Sequence, residues 1–281
     1  MPVLKWLLLP ILSLAAAAPA ATTAPVPNYP NSNKPAVCAH RGWLAKDQVE
    51  NSLLQMEKTV AAGVPWIEMD LATSKDGTLY LLHDRTLDRT TTAKGPISHY
   101  TDADLSTVFL RDDETITSER IPYFARFLGW LKTNDVHVLV DLKSGSPATA
   151  ATMLKLAGLL PRVIFLSFNP DTDDKALAAD PKVIVSLLVK SDAEVDAALA
   201  KAAGHPIAFY VPQGAAPELF AYAAKTGKPV ISDAMEKLDV QAEQNNAAYS
   251  DYLSARPIAI LVTNRAVELK KALQEMTPAG K

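Results

Sequence analysis

Glu68 and Asp70 stand two apart in Trp66-Ile67-Glu68-Met69-Asp70-Leu71, a run that reads as a buried strand. Alternate residues of a strand share a face, so both carboxylates project together while Ile67, Met69 and Leu71 project the other way. Side by side, two carboxylates repel each other unless one is protonated or a cation lies between them. Oxygen donors favour a hard cation, Ca2+ or Mg2+. Taken alone, the pair favours the plainer reading, neutralisation by lysine or arginine side chains in a purely structural role.

A histidine is aimed at the same place. Asp76-Gly77 lies between alternating flanks, Trp66–Ala72 before it and Thr78–His83 after it, which is the signal for a two-residue hairpin loop. A regular hairpin pairs Lys75 with Thr78 and brings Asp70 opposite His83, with Cβ atoms about 4.5–5.5 Å apart. Two further segments carry polar side chains at the ends of strand-like runs: Ala39-His40-Arg41-Gly42, and Val136 to Lys143, where Asp141 and Lys143 share a face. Two histidines, three carboxylates, an arginine and a lysine suit an acid, a base, a metal cage and cations for an anionic group. His99 precedes a capped helix, His137 begins a strand at the end away from Asp141, and His205 sits in a Gly-His-Pro loop. None of these three is expected to join the site.

The elements that must position these side chains alternate. Nine β-like runs are expected, near 36–40, 66–72, 78–83, 136–142, 163–168, 183–189, 207–211, 230–232 and 258–262. Helices are expected between them: one capped by Asn51 or Ser52 and stopped by Gly63, one opened by the Thr101-Asp102-Ala103-Asp104 capping box, one opened by Pro122. Others are expected near 148–159, 171–179, 192–203, 216–226, 237–254 and 265–276. Treating 78–83 as a returning antiparallel arm leaves eight βα units, the number that closes a (βα)8 TIM barrel. An open doubly wound sheet is the rival arrangement, but no Gly-rich phosphate loop is present. Barrel sites form at the C-terminal ends of the strands, where the polar residues above fall.

Composition narrows the function. The 281 residues are 48% hydrophobic and 21% charged, enough for a substantial core. A net charge of −3 from 28 basic and 31 acidic residues offers no footprint for nucleic acid. Lys5, an apolar run from Trp6 to about Ala18 and small residues near Ala20 form the pattern of a cleaved export signal, too short for a spanning helix. The reading is therefore a signal peptide over 1–20, a flexible Pro-rich leader over 21–34 and one domain over 35–281. The mature protein is expected to be periplasmic or secreted, without stable membrane insertion. The single cysteine, Cys38, is expected to pack in the core.

With these residues in hand, the chain resembles the glycerophosphodiester phosphodiesterase family. The resemblance rests on His40-Arg41-Gly42, Glu50-Asn51, Glu68-x-Asp70, Lys75-Asp76-Gly77, and His83-Asp84 followed by Leu87, Arg89 and Thr90. Ile121-Pro122, Asp141-x-Lys143 and Ser167-Phe168 complete it. It implies a TIM barrel that hydrolyses glycerophosphodiesters to sn-glycerol 3-phosphate and an alcohol. His40 and His83 would be the catalytic acid and base. Glu68, Asp70 and Asp141 would hold one divalent cation, Ca2+ or Mg2+, with Arg41 and Lys143 on the phosphate and Glu50 and Asn51 in support. The attacking oxygen is either water or the glycerol hydroxyl beside the phosphate. The chain departs from the family pattern at four places. Asp141 replaces the usual Glu, and Val49 a Pro. Val230-Ile231-Ser232-Asp233 lacks a Trp-Thr pair, and Thr263-Asn264-Arg265-Ala266 replaces Thr-Asp-x-Pro. The departures bear on substrate choice. Two other readings stay open: a related phosphodiesterase acting on lipid headgroups, phospholipase D-like or phosphoinositide-type, and a catalytically silent phosphodiester binder.

Overall fold

In the computed structural model of the chain, the described residues are 30–276 except 46, 47 and 114. The signal over 1–20 and most of the expected leader lie outside them. Asn31 and Ser32, the last part of that leader, are hydrogen-bonded to the barrel floor through Lys228, Val230 and Ile258. No helix among the described residues is long and apolar enough to cross a membrane.

Among the described residues, eleven strands run in chain order: β1 (Ala36–Ala39), β2 (Trp66–Thr73), β3 (Leu79–Leu81), β4 (Phe109–Asp112), β5 (Thr115–Arg120), β6 (His137–Leu142), β7 (Val163–Ser167), β8 (Ile184–Leu188), β9 (Ile207–Tyr210), β10 (Val230–Asp233) and β11 (Ile260–Thr263). Eight of them form a parallel barrel in the order β1, β2, β6, β7, β8, β9, β10, β11, closed by β1 pairing with both β11 and β2. The doubly wound alternative is excluded by that closure. Strand alternation divides the core into two layers. Cys38, Trp66, Leu139, Ile164, Leu166, Ala208 and Ile231 fill the barrel, while Ile67, Met69, Leu71, Val138 and Val140 pack outward under the helices. All nine expected strands form, and β4–β5 is an additional hairpin.

The arm differs from the regular hairpin. Leu71 pairs with Leu81 and Thr73 with Leu79, so Asp70 lies opposite Leu82 rather than His83. The loop has three residues, Lys75-Asp76-Gly77, closed by Ser74 N–H to Thr78 O at 2.9 Å, with Gly77 at φ 87°. A left-handed glycine as the third loop residue shifts the pairing by one position. His83 reaches the site from the chain that leaves the strand.

Residues 73–123 build a lobe with its own small core of Tyr80, Leu82, Leu87, Ile97, Leu105, Val108, Leu110 and Ile121. The Thr101 capping box forms as expected, over the short helix Asp102–Leu105. Ser52, not Asn51, caps the helix Leu53–Ala61. The expected helix 237–254 is two helices, Lys237–Gln244 and Ala247–Leu253, separated at Asn245-Asn246, where the Asn245 side chain accepts the Ala247 N–H at 3.1 Å. Such local bonds compete with helix continuation.

Candidate active site

The carboxylate cluster follows from strand register. On the parallel pair β2 and β6, Asp70 lies beside Asp141 on the inward face, and Glu68 is two residues below. One oxygen from each of Glu68, Asp70 and Asp141 falls within 4.8 Å of the others. Their side chains are almost fully withdrawn from solvent. Burial, with Asp70 and Asp141 close by, pushes the Glu68 carboxyl well above the usual carboxylate range. Burial raises Asp141 too, against the opposing pull of Lys143, whose ammonium lies 2.5 Å from Asp141 and 3.5 Å from Asp70. Burial works against the Lys143 ammonium, but Asp141 and Asp70 outweigh it and raise its pKa.

The loop after β1 wraps the cluster. His40–Gly42 form a single 3-10 turn in which Arg41 (φ 50°) and Gly42 (φ 76°) are left-handed. This turn directs the Arg41 N–H at Glu68 Oε2 (2.9 Å), while the Arg41 guanidinium donates to Glu50 Oε2 (2.8 Å). Asn51, also left-handed at φ 53°, donates from Nδ2 to Asp70 Oδ2 at 3.0 Å and accepts the Asp70 N–H at 3.1 Å. Arg41 Nε is buried without a hydrogen-bond partner, 3.7 Å from Asp70, a donor suited to an anion entering the cavity.

Each histidine is held through Nδ1. His40 Nδ1 meets Asn264 Oδ1 at 2.6 Å, and His83 Nδ1 meets Asp84 Oδ1 at 2.7 Å. Burial, then the neighbouring Arg41, push the His40 pKa down to about 3, against the Asn264 bond. Asp84 is gripped by Arg89 through two bonds of 2.8 and 3.0 Å, which bring its carboxyl down to about 2. Arg89 also donates twice to Glu50, at 2.7 and 2.8 Å. Arg89 thus ties the lobe that carries His83 to the loop that carries Arg41.

All seven residues expected to do chemistry line one cavity of about 400 Å³ at the C-terminal ends of the strands, and Leu166, Phe168, Tyr210, Met235, Glu236, Val262 and Asn264 complete its wall. Glu50 and Asn51 stand behind it, bonded to Arg41 and Asp70. His99 is exposed, His137 packs on Trp66 at the barrel floor, and His205 bonds backbone carbonyls of Pro206 and Asp180. Three contributions were missed by the sequence reading. Asn264 entered only as a departure, and Arg89 only as part of a motif. Glu119 caps the helix Leu53–Ala61 by accepting Leu53 N–H at 2.8 Å and the Ser52 hydroxyl. An acidic residue at a strand's end gives no local hint of a distant helix terminus.

The donor set fits a divalent cation. The linked carboxylates Glu50, Glu68, Asp70, Asp84 and Asp141 meet three cationic side chains, Arg41, Arg89 and Lys143. Carboxylates outnumber cationic side chains here by two, so a divalent ion would offset the excess once Glu68 and Asp141 ionise to hold it.

The chain is similar to known proteins in sequence and in fold. The model of the glycerophosphoryl diester phosphodiesterase family matches residues 40–252. A glycerophosphodiester phosphodiesterase of Caldanaerobacter subterraneus is 31% identical over 144 residues, 48% of this chain and 59% of that protein, so the match spans little more than half of the relative's length. In fold, the chain is similar to a glycerophosphoryl diester phosphodiesterase of Parabacteroides distasonis, with a TM-score of 0.77 and 23% identity over 89% of this chain and 90% of the other. It is also similar to an Oleispira antarctica phosphodiesterase solved with sn-glycerol-3-phosphate, with a TM-score of 0.69 and 17% identity over 86% and 97% of the two chains. The chain, matched over residues 40–252, belongs to the glycerophosphoryl diester phosphodiesterase family.

Proposed function

We propose that the protein is a divalent-cation-dependent phosphodiesterase that hydrolyses glycerophosphodiesters to sn-glycerol 3-phosphate and an alcohol. One observation carries the reading: two imidazoles, one from the loop after β1 and one from the chain leaving β3, line the same cavity as the Glu68, Asp70 and Asp141 cluster. Family membership and the product-bound Oleispira relative support it.

The chain's own groups account for the chemistry. Arg41 Nε and the Lys143 ammonium supply positive charge for the phosphoryl oxygens. One histidine takes the proton of the attacking oxygen as the new P–O bond forms; the other gives a proton to the departing alkoxide as the old one breaks. Both keep Nε2 available because Nδ1 is occupied. Glu68, Asp70 and Asp141 would hold Ca2+ or Mg2+, whose charge would offset that developing on the phosphate.

The test is release of glycerol 3-phosphate from glycerophosphocholine by metal-stripped protein with Ca2+ or Mg2+ restored, alongside His83→Ala and His40→Ala. Cation-dependent release lost in both variants is the expected result. Absence of release while cation binds the folded protein overturns this substrate assignment and shifts weight to lipid headgroups or silent binding. We also propose export, on the Lys5, apolar run and small-residue pattern of 1–20. Recovery of full-length, uncleaved protein from the cytoplasmic fraction would count against it.

A further inference from the structure

We propose that Asn264 is a positioning residue for His40, holding the ring in the tautomer that turns the Nε2 lone pair toward the cavity. Its kinetic consequence rests on the phosphodiesterase reading, whereas the tautomer is measurable without substrate.

An asparagine can present either its oxygen or its nitrogen, and the surroundings decide which. Asn264 Nδ2 lies 3.4 Å from the Met235 carbonyl, which can only accept, so the amide oxygen is the atom 2.6 Å from His40 Nδ1. An acceptor at Nδ1 requires the proton of the neutral ring to sit there, which leaves Nε2 with the lone pair. Nε2 lies 3.9 Å from Glu68 Oε2, beside the carboxylate cluster. A proton leaving an attacking oxygen at the cluster then has an acceptor at hand. Trp43 packs edge-on against the His40 ring, with centroids 5.6 Å apart, and restrains it from the other side.

Asn264 is itself held by its backbone. Its N–H donates to Asp239 Oδ2 at 2.8 Å, and Asp239 Oδ1 accepts from Thr263 Oγ1 and Tyr249 OH, each at 2.7 Å. Asp239 and Tyr249 come from the two helices that follow β10, and both are buried. Two helices and the end of β11 therefore set the height of the Asn264 amide at the barrel mouth. Truncating the Asn264 side chain leaves these contacts in place. His83 is anchored by a carboxylate, His40 by an uncharged amide.

The experiment pairs nitrogen NMR of 15N-histidine-labelled protein with steady-state kinetics on glycerophosphocholine, for wild type, Asn264→Ala and Asn264→Asp. The wild-type His40 signal is expected to show protonated Nδ1 and unprotonated Nε2. Asn264→Ala is expected to lose that preference and to lower kcat by roughly 10–100-fold, with KM changed less than about twofold. Asn264→Asp, which keeps an acceptor in place, is expected to restore the tautomer and at least about a tenfold part of the lost kcat. A wild-type ring protonated at Nε2, an alanine variant with unchanged tautomer or kcat, or an aspartate variant no better than alanine overturns the assignment. If the wild type releases no glycerol 3-phosphate, the phosphodiesterase reading fails, and the NMR comparison alone decides the role of Asn264.

Discussion

Asn51 and Asp70 exchange two hydrogen bonds: the Asn51 amide nitrogen donates to the Asp70 carboxylate at 3.0 Å, and its oxygen accepts the Asp70 N–H at 3.1 Å. A side chain on the loop after β1 thereby fixes both the backbone and the carboxylate of a residue on β2. Asn51→Ala leaves the buried Asp70 N–H without its partner, a loss of about 1–3 kcal/mol. It also frees the carboxylate to rotate, so Mg2+ or Ca2+ affinity is expected to fall roughly 10–100-fold. Chemical denaturation and calorimetric titration read the two effects separately, and unchanged cation affinity would count against Asp70 as an oriented ligand.

Glu68 and Asp141 make stability depend on pH and on cation together. Burial and neighbouring carboxylates raise Glu68; burial raises Asp141. A folded-state pKa above the unfolded value means that the cation-free fold holds protons more tightly than the unfolded chain. The two groups therefore favour the fold at low pH, and that contribution is lost as pH rises through their folded values. A cation needs both groups ionised, so its gain in Tm is expected to be largest at neutral to alkaline pH. It should shrink on acidification before an ordinary carboxylate would titrate. Glu68→Gln keeps an oxygen for the Arg41 N–H and removes the repulsion. It is expected to stabilise the cation-free protein by roughly 0.5–2 kcal/mol and to abolish the cation-induced gain. Melting curves across pH, with and without Mg2+, check both, and a pH-independent gain would contradict the placement of the cation.

Arg89 clamps two carboxylates that belong to different segments, Glu50 and Asp84. Lysine keeps the charge but cannot make two paired contacts at once. Arg89→Lys is expected to lower kcat on the order of tenfold by loosening Asp84 behind His83. Because Arg89 is 48% exposed, the loss of stability should stay below about 1 kcal/mol. Kinetics beside thermal denaturation distinguish this from general destabilisation; a variant with wild-type kcat would remove Arg89 from the positioning of His83.

Gly42 combines a left-handed backbone, φ 76°, with a close neighbour: an added Cβ would lie 2.6 Å from Met56 Cγ. Gly42→Ala is expected to destabilise by about 1–3 kcal/mol and to disturb the Arg41 N–H to Glu68 contact. Gly77→Ala shares the positive φ but meets nothing within 4 Å, so it isolates the backbone penalty, about 1–2 kcal/mol. Equal losses in denaturant melts of the two variants would show that the Met56 contact adds nothing.

Much of the site was legible in the sequence because the rules that place it are local. The period of two put Glu68 and Asp70 on one face, and the observed inward pair confirms that geometry. Counting units and setting one hairpin aside led to eight parallel strands. The hairpin register was not legible to the residue: Asp76-Gly77 reads as a two-residue turn, but Gly77 takes the left-handed place of a three-residue loop, and the opposing residue is Leu82. His83 still reaches the cavity, because the lobe core of Tyr80, Leu82 and Leu87 directs the chain after β3.

Taken by itself, the sequence determined residue chemistry, strand faces, most helix ends and the family pattern, all of which depend on neighbours within a few positions. Tertiary structure alone decided that Asn264 would hold His40 across 224 residues, that Glu119 would cap a helix begun 66 residues earlier, and that Arg89 would join Glu50 to Asp84. The physical reason is closure. Only when β11 pairs with β1 do His40 and Asn264 meet at one mouth, and only packing of the lobe brings its charges to the loop after β1.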